Sequence, residues 1–236
     1  MQEIKHNIEK LELELSSLLQ NLGRERSDVT LIAVTKTHPC EAIEAVFQCG
    51  ITEYGENKVQ EAMRKVPMLS SGSTGFHFIG HLQSNKINQL LSLKPKLIHS
   101  IDSLYLAEKL NRALGNRNMT QDILVQVNVT EEDSKSGVTF DNAEETIWKI
   151  ASFANLRVRG LMTIGKLHPN PEISRPYFKQ LKELFDKIKA QQVEGLDLSW
   201  LSMGMSHDWK IAVAEGSNMI RIGSAIFGER YYGEDR

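Results

Sequence analysis

Eight short apolar runs recur along the chain, most of them followed by a stretch with helical periodicity. That alternation restricts the fold more than any other feature. The runs are Leu31–Thr37, Thr52–Gly55, His77–Gly80, Leu97–Ile101, Ile123–Val129, Val158–Ile164, Leu198–Met203 and Met219–Ile222. Several are nearly continuous in Val, Ile and Leu, as strands covered on both faces require. Between them the spacing predicts helices at Cys40–Cys49, Lys58–Leu69, Ser84–Leu91, Ser103–Leu114, Asn142–Ala154, Arg175–Glu194 and Asp208–Glu215. Ahead of the first strand, Ile4, Ile8, Leu11, Leu15, Leu18 and Leu22 make one apolar stripe on a helix over Gln2–Leu22, which Gly23 ends. Asp102-Ser103, Asp141-Asn142 and Ser206-His207-Asp208 supply capping side chains just after strands.

No Gly-, Ser- or Pro-rich linker divides the chain, and the longest irregular stretch is about Gly165–Ser174. The expectation is a single α/β domain over residues 1–236, a (β/α)8 TIM barrel with residues 1–23 as an extra N-terminal helix packed on it. Its 236 residues approach the roughly 250 typical of that fold. A doubly wound open sheet fits the same alternation, because strand order is not written in it.

Composition removes several function classes. A formal charge of −2 gives no general attraction to nucleic acid or an anionic membrane. Aromatics make up 7% of the residues and do not interleave with a basic patch, so no nucleic-acid partner is expected. No stretch approaches the roughly 18 apolar residues of a membrane span, and Met1–Leu22 is charged rather than signal-like. Cys40 and Cys49 cannot form a disulfide framework, which suits a reducing, cytoplasmic setting. Gly-x-Gly-x-x-Gly and Walker sequences are absent. His77 and His81 have the spacing of helical zinc ligands but fall on a strand, where four residues span about 13 Å. The loop Glu131–Gly137 mixes both charge signs and reads as a solvated turn able to cover a ligand.

In a barrel, chemistry gathers where strands end. Lys36 stands at the end of the first run, and Thr37-His38-Pro39 stops that run at once. A lysine amine loses its proton readily when desolvated, which suits a Schiff base with an aldehyde or ketone. Read alone, it is an ordinary strand-end lysine reaching water. Ser202-Met203-Gly204-Met205-Ser206 and Ile222-Gly223-Ser224-Ala225 follow the last two strands, where barrels often bind phosphate. Taken singly, each is an ordinary Gly/Ser turn. Arg221 alternates with Ile220 and Ile222 and so faces the other way, toward the barrel mouth or toward an ordinary ion pair. An aldehyde-capturing lysine, a phosphate cradle and an arginine together describe pyridoxal 5′-phosphate, whose ring nitrogen takes an Asp or Arg partner.

With these residues in view, the chain resembles the pyridoxal phosphate homeostasis protein family over nearly its whole length. The blocks that carry the resemblance are Ala33-Val34-Thr35-Lys36, Gly55-Glu56-Asn57, His77 to Lys86, Ser100-Ile101-Asp102-Ser103, Leu201 to Ser206 and Arg221 to Gly228. The resemblance implies the barrel of the alanine racemase N-terminal domain, pyridoxal-phosphate fold type III. It implies that Lys36 carries the cofactor as a covalent aldimine, that Arg221 faces the pyridine nitrogen and that Asn57 lies near the ring. Ser202, Ser206, Gly223 and Ser224 would form the phosphate cradle, with Met203 beside them among the cofactor-binding residues.

Two functional readings follow. In the first, the protein holds pyridoxal phosphate as part of its intracellular homeostasis, without significant turnover, and delivers it to pyridoxal-phosphate-dependent apo-enzymes. In the second, it is a racemase-like enzyme acting on amino acids. An arginine at the ring nitrogen weakens the cofactor as an electron sink, which favours the first. So does the end of the chain at Arg236, eight residues past Gly228, where racemases of this type continue into a second domain. His81 and Tyr54 are the candidates for a second base. A Schiff-base aldolase for a phosphorylated sugar would also use the lysine and phosphate site, but leaves Arg221 without a task. A monomer is the simplest expectation, with the first helix covering its own barrel.

Overall fold

In the computed structural model the residues described are 1–228, apart from 71, 73, 131, 133–135, 194 and 195. Most of the Glu131–Gly137 loop therefore lies outside them, while the helix expected to reach Glu194 already ends at Ala190. Among the described residues the strands are β1 (Thr30–Val34), β2 (Tyr54–Glu56), β3 (Phe76–Phe78), β4 (Leu97–Ile101), β5 (Gln121–Asn128), β6 (Val138–Thr139), β7 (Leu156–Met162), β8 (Leu196–Met205) and β9 (Met219–Ile222). All pairings are parallel. The neighbour order runs β4-β3-β2-β1-β9-β8-β7-β5, and β4 also pairs with β5. Eight strands thus close on themselves while β6 only flanks β5, which decides for the barrel against an open sheet.

The helices are α1 (Gln2–Asn21), α2 (Cys40–Gln48), α3 (Val59–Lys65), α4 (Ile87–Ser92), α5 (Leu104–Gly115), α6 (Phe140–Ala151), α7 (Arg175–Ala190), α8 (Trp209–Ala214) and α9 (Ser224–Phe227). The helix expected over Lys58–Leu69 ends at Lys65 and becomes a 3-10 turn over Val66–Met68, because Pro67 has no N–H to continue the ladder. Ser103 caps α5 as its sequence suggests, its hydroxyl accepting the Leu106 N–H at 3.2 Å. The other caps differ. α6 starts at Phe140 behind Thr139, and Asn142 turns back to donate to the Thr139 hydroxyl. Asp208 precedes α8 but accepts the Met205 N–H instead of capping the helix.

Strand alternation sorts the core. Leu201, Met203, Ile98 and Phe78 point outward under the helices, as do Ile220 and Ile222. Ile32, Leu97, Leu124, Met162 and Met219 point into the barrel. The interior is not wholly apolar: His77, His99, Ser202 and Arg221 are also buried there, next to outward-facing neighbours.

Helix α1 lies against α9, α2 and α8. Its buried face is Ile8, Leu11, Leu15 and Leu19, so Leu19 takes the place expected for Leu22, which stays exposed. These side chains pack with Val29, Leu31, Val213, Ile220 and Ile226. Leu15 is completely buried. Leu15→Ala should therefore cost about 3 kcal/mol in urea unfolding. A loss near zero would mean that α1 is not part of the cooperative unit. Among the described residues no helix is long and apolar enough to cross a membrane.

Candidate functional site at the C-terminal mouth of the barrel

The ladder of β1 ends at Val34, three residues before the run predicted from sequence, and leaves Lys36 just beyond it. The cause is local. Thr37 has φ 70°, a left-handed conformation that is costly for a β-branched residue. Its N–H donates to Glu61 Oε1 at 2.6 Å. Lys65 Nζ in turn donates to Glu61 Oε1 at 2.5 Å, to the Thr35 carbonyl at 2.9 Å and to Glu56 Oε1 at 3.0 Å. The Thr35 hydroxyl donates to the same Glu56 oxygen at 2.6 Å. One residue further on, the His38 ring stacks on Phe227 at 4.1 Å. The backbone is thus clamped on both sides of Lys36 by α3 and α9. Burial pushes the Glu56 carboxyl above its ordinary range, against the pull of Thr35 and Lys65.

Lys36, Asn57 and Arg221 line one cavity of about 320 Å³. This is the size of a site for one small ligand. Val34, Ile79, Met162 and Ile164 give it apolar walls, and Gln126, Ser136, His81 and Met205 complete it. Gly80 touches the backbone of Asn57, and a Cβ there would come within 2.0 Å of the Asn57 carbonyl. Bare backbone at Gly80 is what lets Asn57 sit where it does.

Arg221 is 4% exposed. Its Nη1 donates to Ser202 Oγ at 2.6 Å and its Nη2 to the Thr163 carbonyl at 2.8 Å, both neutral acceptors. Burial lowers its pKa to about 10, with Asp208 pulling the other way, so it stays a cation at neutral pH. A buried cation whose partners among the described residues are neutral favours a ligand atom that can accept a hydrogen bond or carry negative charge.

The expected phosphate side is divided. Ser206 Oγ accepts the N–H groups of Gly223 and Ala225 at 3.1 and 3.2 Å, which joins the ends of β8 and β9. Ser206 and Ser224 line a second cavity of about 560 Å³, together with Asn7 and Lys10 of α1. Gly223 lies against Val34, at the end of the β1 ladder just before Lys36. Ser202 and Met203 do not join them. The Ser202 hydroxyl is inside the barrel with Arg221 and His99, and Met203 is buried under the helices. Gly204, at φ 96°, serves packing: a Cβ there would strike Ala212 of α8 at 2.6 Å. Of the two candidate bases, His81 lines the Lys36 cavity and bonds Asp102 at 3.0 Å. Tyr54 points outward into the layer with Phe47 and Phe76, away from the cavity.

Several residues escaped the sequence reading. Glu61 and Lys65 carry an i, i+4 signal on α3, but nothing local points them at Thr35 and Thr37, some thirty positions away. Glu53, His77 and His99 could have been placed only as inward residues by alternation.

The alanine racemase N-terminal domain family matches residues 2–231. The pyridoxal phosphate homeostasis protein of Aquifex aeolicus is 41% identical over 213 residues, 90% of this chain and 92% of its own length. The protein of the same name from Escherichia coli K12 is 37% identical over 237 residues, 98% of this chain and 99% of its own. Among solved structures, PipY of Synechococcus elongatus PCC7942 with pyridoxal phosphate bound superposes with a TM-score of 0.77 at 33% identity, covering 91% of this chain and all of PipY.

Proposed function

The chain belongs to the pyridoxal phosphate homeostasis protein family, and on that premise we propose that it binds pyridoxal 5′-phosphate covalently through Lys36 and holds it without turnover. The observation that carries this reading is the pairing, in one small cavity, of a strand-end lysine with a buried arginine bonded, among the described residues, only to neutral acceptors. When bound, the group supplies an aldehyde for the amine and a conjugated ring able to withdraw electrons. Lys36 Nζ would be the amine that captures that aldehyde. Arg221 would donate toward the ring nitrogen, and because an arginine does not give up a full proton, it would leave the group a poor electron sink. Asn57 would border the ring, while Ser206, Gly223 and Ser224 would receive the phosphate between the ends of β8 and β9. Ser202 holds Arg221 rather than the phosphate, and Met203 contributes through its position in the strand. Release of the held group to pyridoxal-phosphate-dependent apo-enzymes, from a monomer, completes the proposal.

The test pairs a spectrum with assays. The apoprotein mixed with pyridoxal phosphate should gain an absorption band at the violet edge that borohydride fixes to the chain; an aldolase would stay colourless. Racemase, transaminase and decarboxylase assays across the common amino acids should stay at background. Robust turnover of any of them would overturn the non-catalytic reading and point to His81, with Asp102 behind it, as the base.

A further inference from the structure

A file of polar side chains runs through the barrel from the Lys36 cavity toward the opposite mouth. Arg221 Nη1 meets Ser202 Oγ at 2.6 Å, and Ser202 Oγ meets His99 Nδ1 at 3.1 Å. His99 Nε2 lies 2.9 Å from His77 Nδ1, and His77 Nε2 lies 2.7 Å from Glu53 Oε2. Glu53 precedes β2 and also binds Lys96, which precedes β4, so this end opens where the strands begin. His77, His99, Ser202 and Arg221 are each nearly inaccessible to solvent.

The two ends fix the direction of every proton in the file. Arginine can only donate, so Ser202 Oγ must accept from it. An ionised carboxylate can only accept, so His77 Nε2 must carry a proton. Burial pushes both imidazoles below their ordinary range, His99 strongly so, which favours the neutral rings. A neutral His77 then accepts at Nδ1 from His99 Nε2–H. A neutral His99 accepts at Nδ1 from the Ser202 hydroxyl. Each link has one donor and one acceptor, and each hydrogen bond polarises the next in the same sense. The carboxylate of Glu53 is held ionised because hydrogen bonds from His77 and Lys96 outweigh the opposing effect of its burial.

From this geometry we infer that Ser202, His99, His77 and Glu53 are positioning residues for the cofactor: a one-way hydrogen-bond relay that aims Arg221 at the ring end of the cavity and answers its buried charge from the far side of the barrel. The inference rests on the reading that pyridoxal phosphate lies in that cavity. The relay leaves the arginine's remaining N–H groups for the ligand, since Ser202 and Thr163 take one each from Nη1 and Nη2.

Two measurements test it. In the apoprotein, ¹⁵N spectra of the histidine rings should show His77 and His99 neutral at neutral pH, each with its proton on Nε2. A proton on Nδ1 of His99 would overturn the relay, whatever the chain binds. The second measurement titrates pyridoxal phosphate into apoprotein variants and follows the visible band against pH. Ser202→Ala should weaken binding about ten-fold, since it strands a buried charged donor, and Ser202→Thr should recover most of it. Glu53→Gln keeps the side-chain volume but removes the distant negative charge. Arg221 then raises the potential around the lysine-bound group, and the pH midpoint of its band should fall by about half a unit. Wild-type affinity and an unchanged midpoint in both variants would overturn the relay. If Ser202→Ala fails to fold, the ring spectra and Glu53→Gln decide. A wild-type protein that never gains the band would instead remove the cofactor reading and leave the ring spectra to judge the relay.

Discussion

Lys36→Ala is expected to abolish the visible band completely while leaving a folded protein. Two features make the loss total. The cavity's other lining side chains include no second lysine among the described residues, so no nearby amine can take over the aldehyde. The amine also cannot be replaced by the neighbouring cation, because Lys65 is committed to Glu61, Glu56 and the Thr35 carbonyl. The fold should survive because the clamp around this position uses the Thr35 carbonyl and the Thr37 N–H. Neither belongs to the Lys36 side chain. Unfolding free energy of the apoprotein should therefore change by no more than about 0.5 kcal/mol, as for a substitution outside the core. Arg221, Asn57 and the serine turns would still attract the phosphorylated ring, so weak non-covalent binding should persist without the band. The decisive reading is mass spectrometry after borohydride treatment. An adduct on the Lys36→Ala chain equal to that on the wild type would move the covalent site elsewhere.

How far the sequence foretold this arrangement depends on what each residue's signal measures. The barrel was legible because apolar runs alternate with helical periods, and burial on both faces of each strand leaves that mark in composition. Arg221 was legible for a related reason: one polar residue between two isoleucines must face the other way. Ser202 and Met203 lie deeper than expected because the strand Leu198–Met203 was expected to stop at Met203. It continues to Met205, which puts Ser202 well inside the ladder. Alternation then turns Ser202 into the barrel and Met203 out of it. Tyr54 follows the same alternation, since it faces the helices with Phe76. The clamp on Lys36 was not legible at all. It joins residues 24 to 30 positions apart, and only closure of the barrel brings α3 against the end of β1.

That clamp should also be the most fragile polar element of the fold, and Lys65→Met tests it. Glu56 is completely buried, and one of its oxygens, Oε2, has no hydrogen-bond partner among the described residues. Its other oxygen depends on Thr35 and Lys65. Removing the ammonium leaves a buried carboxylate without a cation, which typically costs about 3–5 kcal/mol. The loss must depend on pH in a definite sense. Burial already raises the Glu56 pKa above its value in the unfolded chain. A raised carboxyl favours the fold fully below the unfolded pKa, and that advantage fades as pH rises through the folded pKa. Without Lys65 the folded pKa climbs further, so the decline extends to higher pH. Denaturation of Lys65→Met should therefore show a loss of about 4 kcal/mol at about pH 8, and clearly less at about pH 5, where Glu56 can take up a proton. Lys65→Met combined with Glu56→Gln should recover much of the loss, since no buried charge is then left alone. An equal loss at both pH values, or a double variant no more stable than the single one, would mean that Lys65 acts through packing. In the expected case, the backbone around Lys36 is kept in place by a second lysine whose own task is electrostatic.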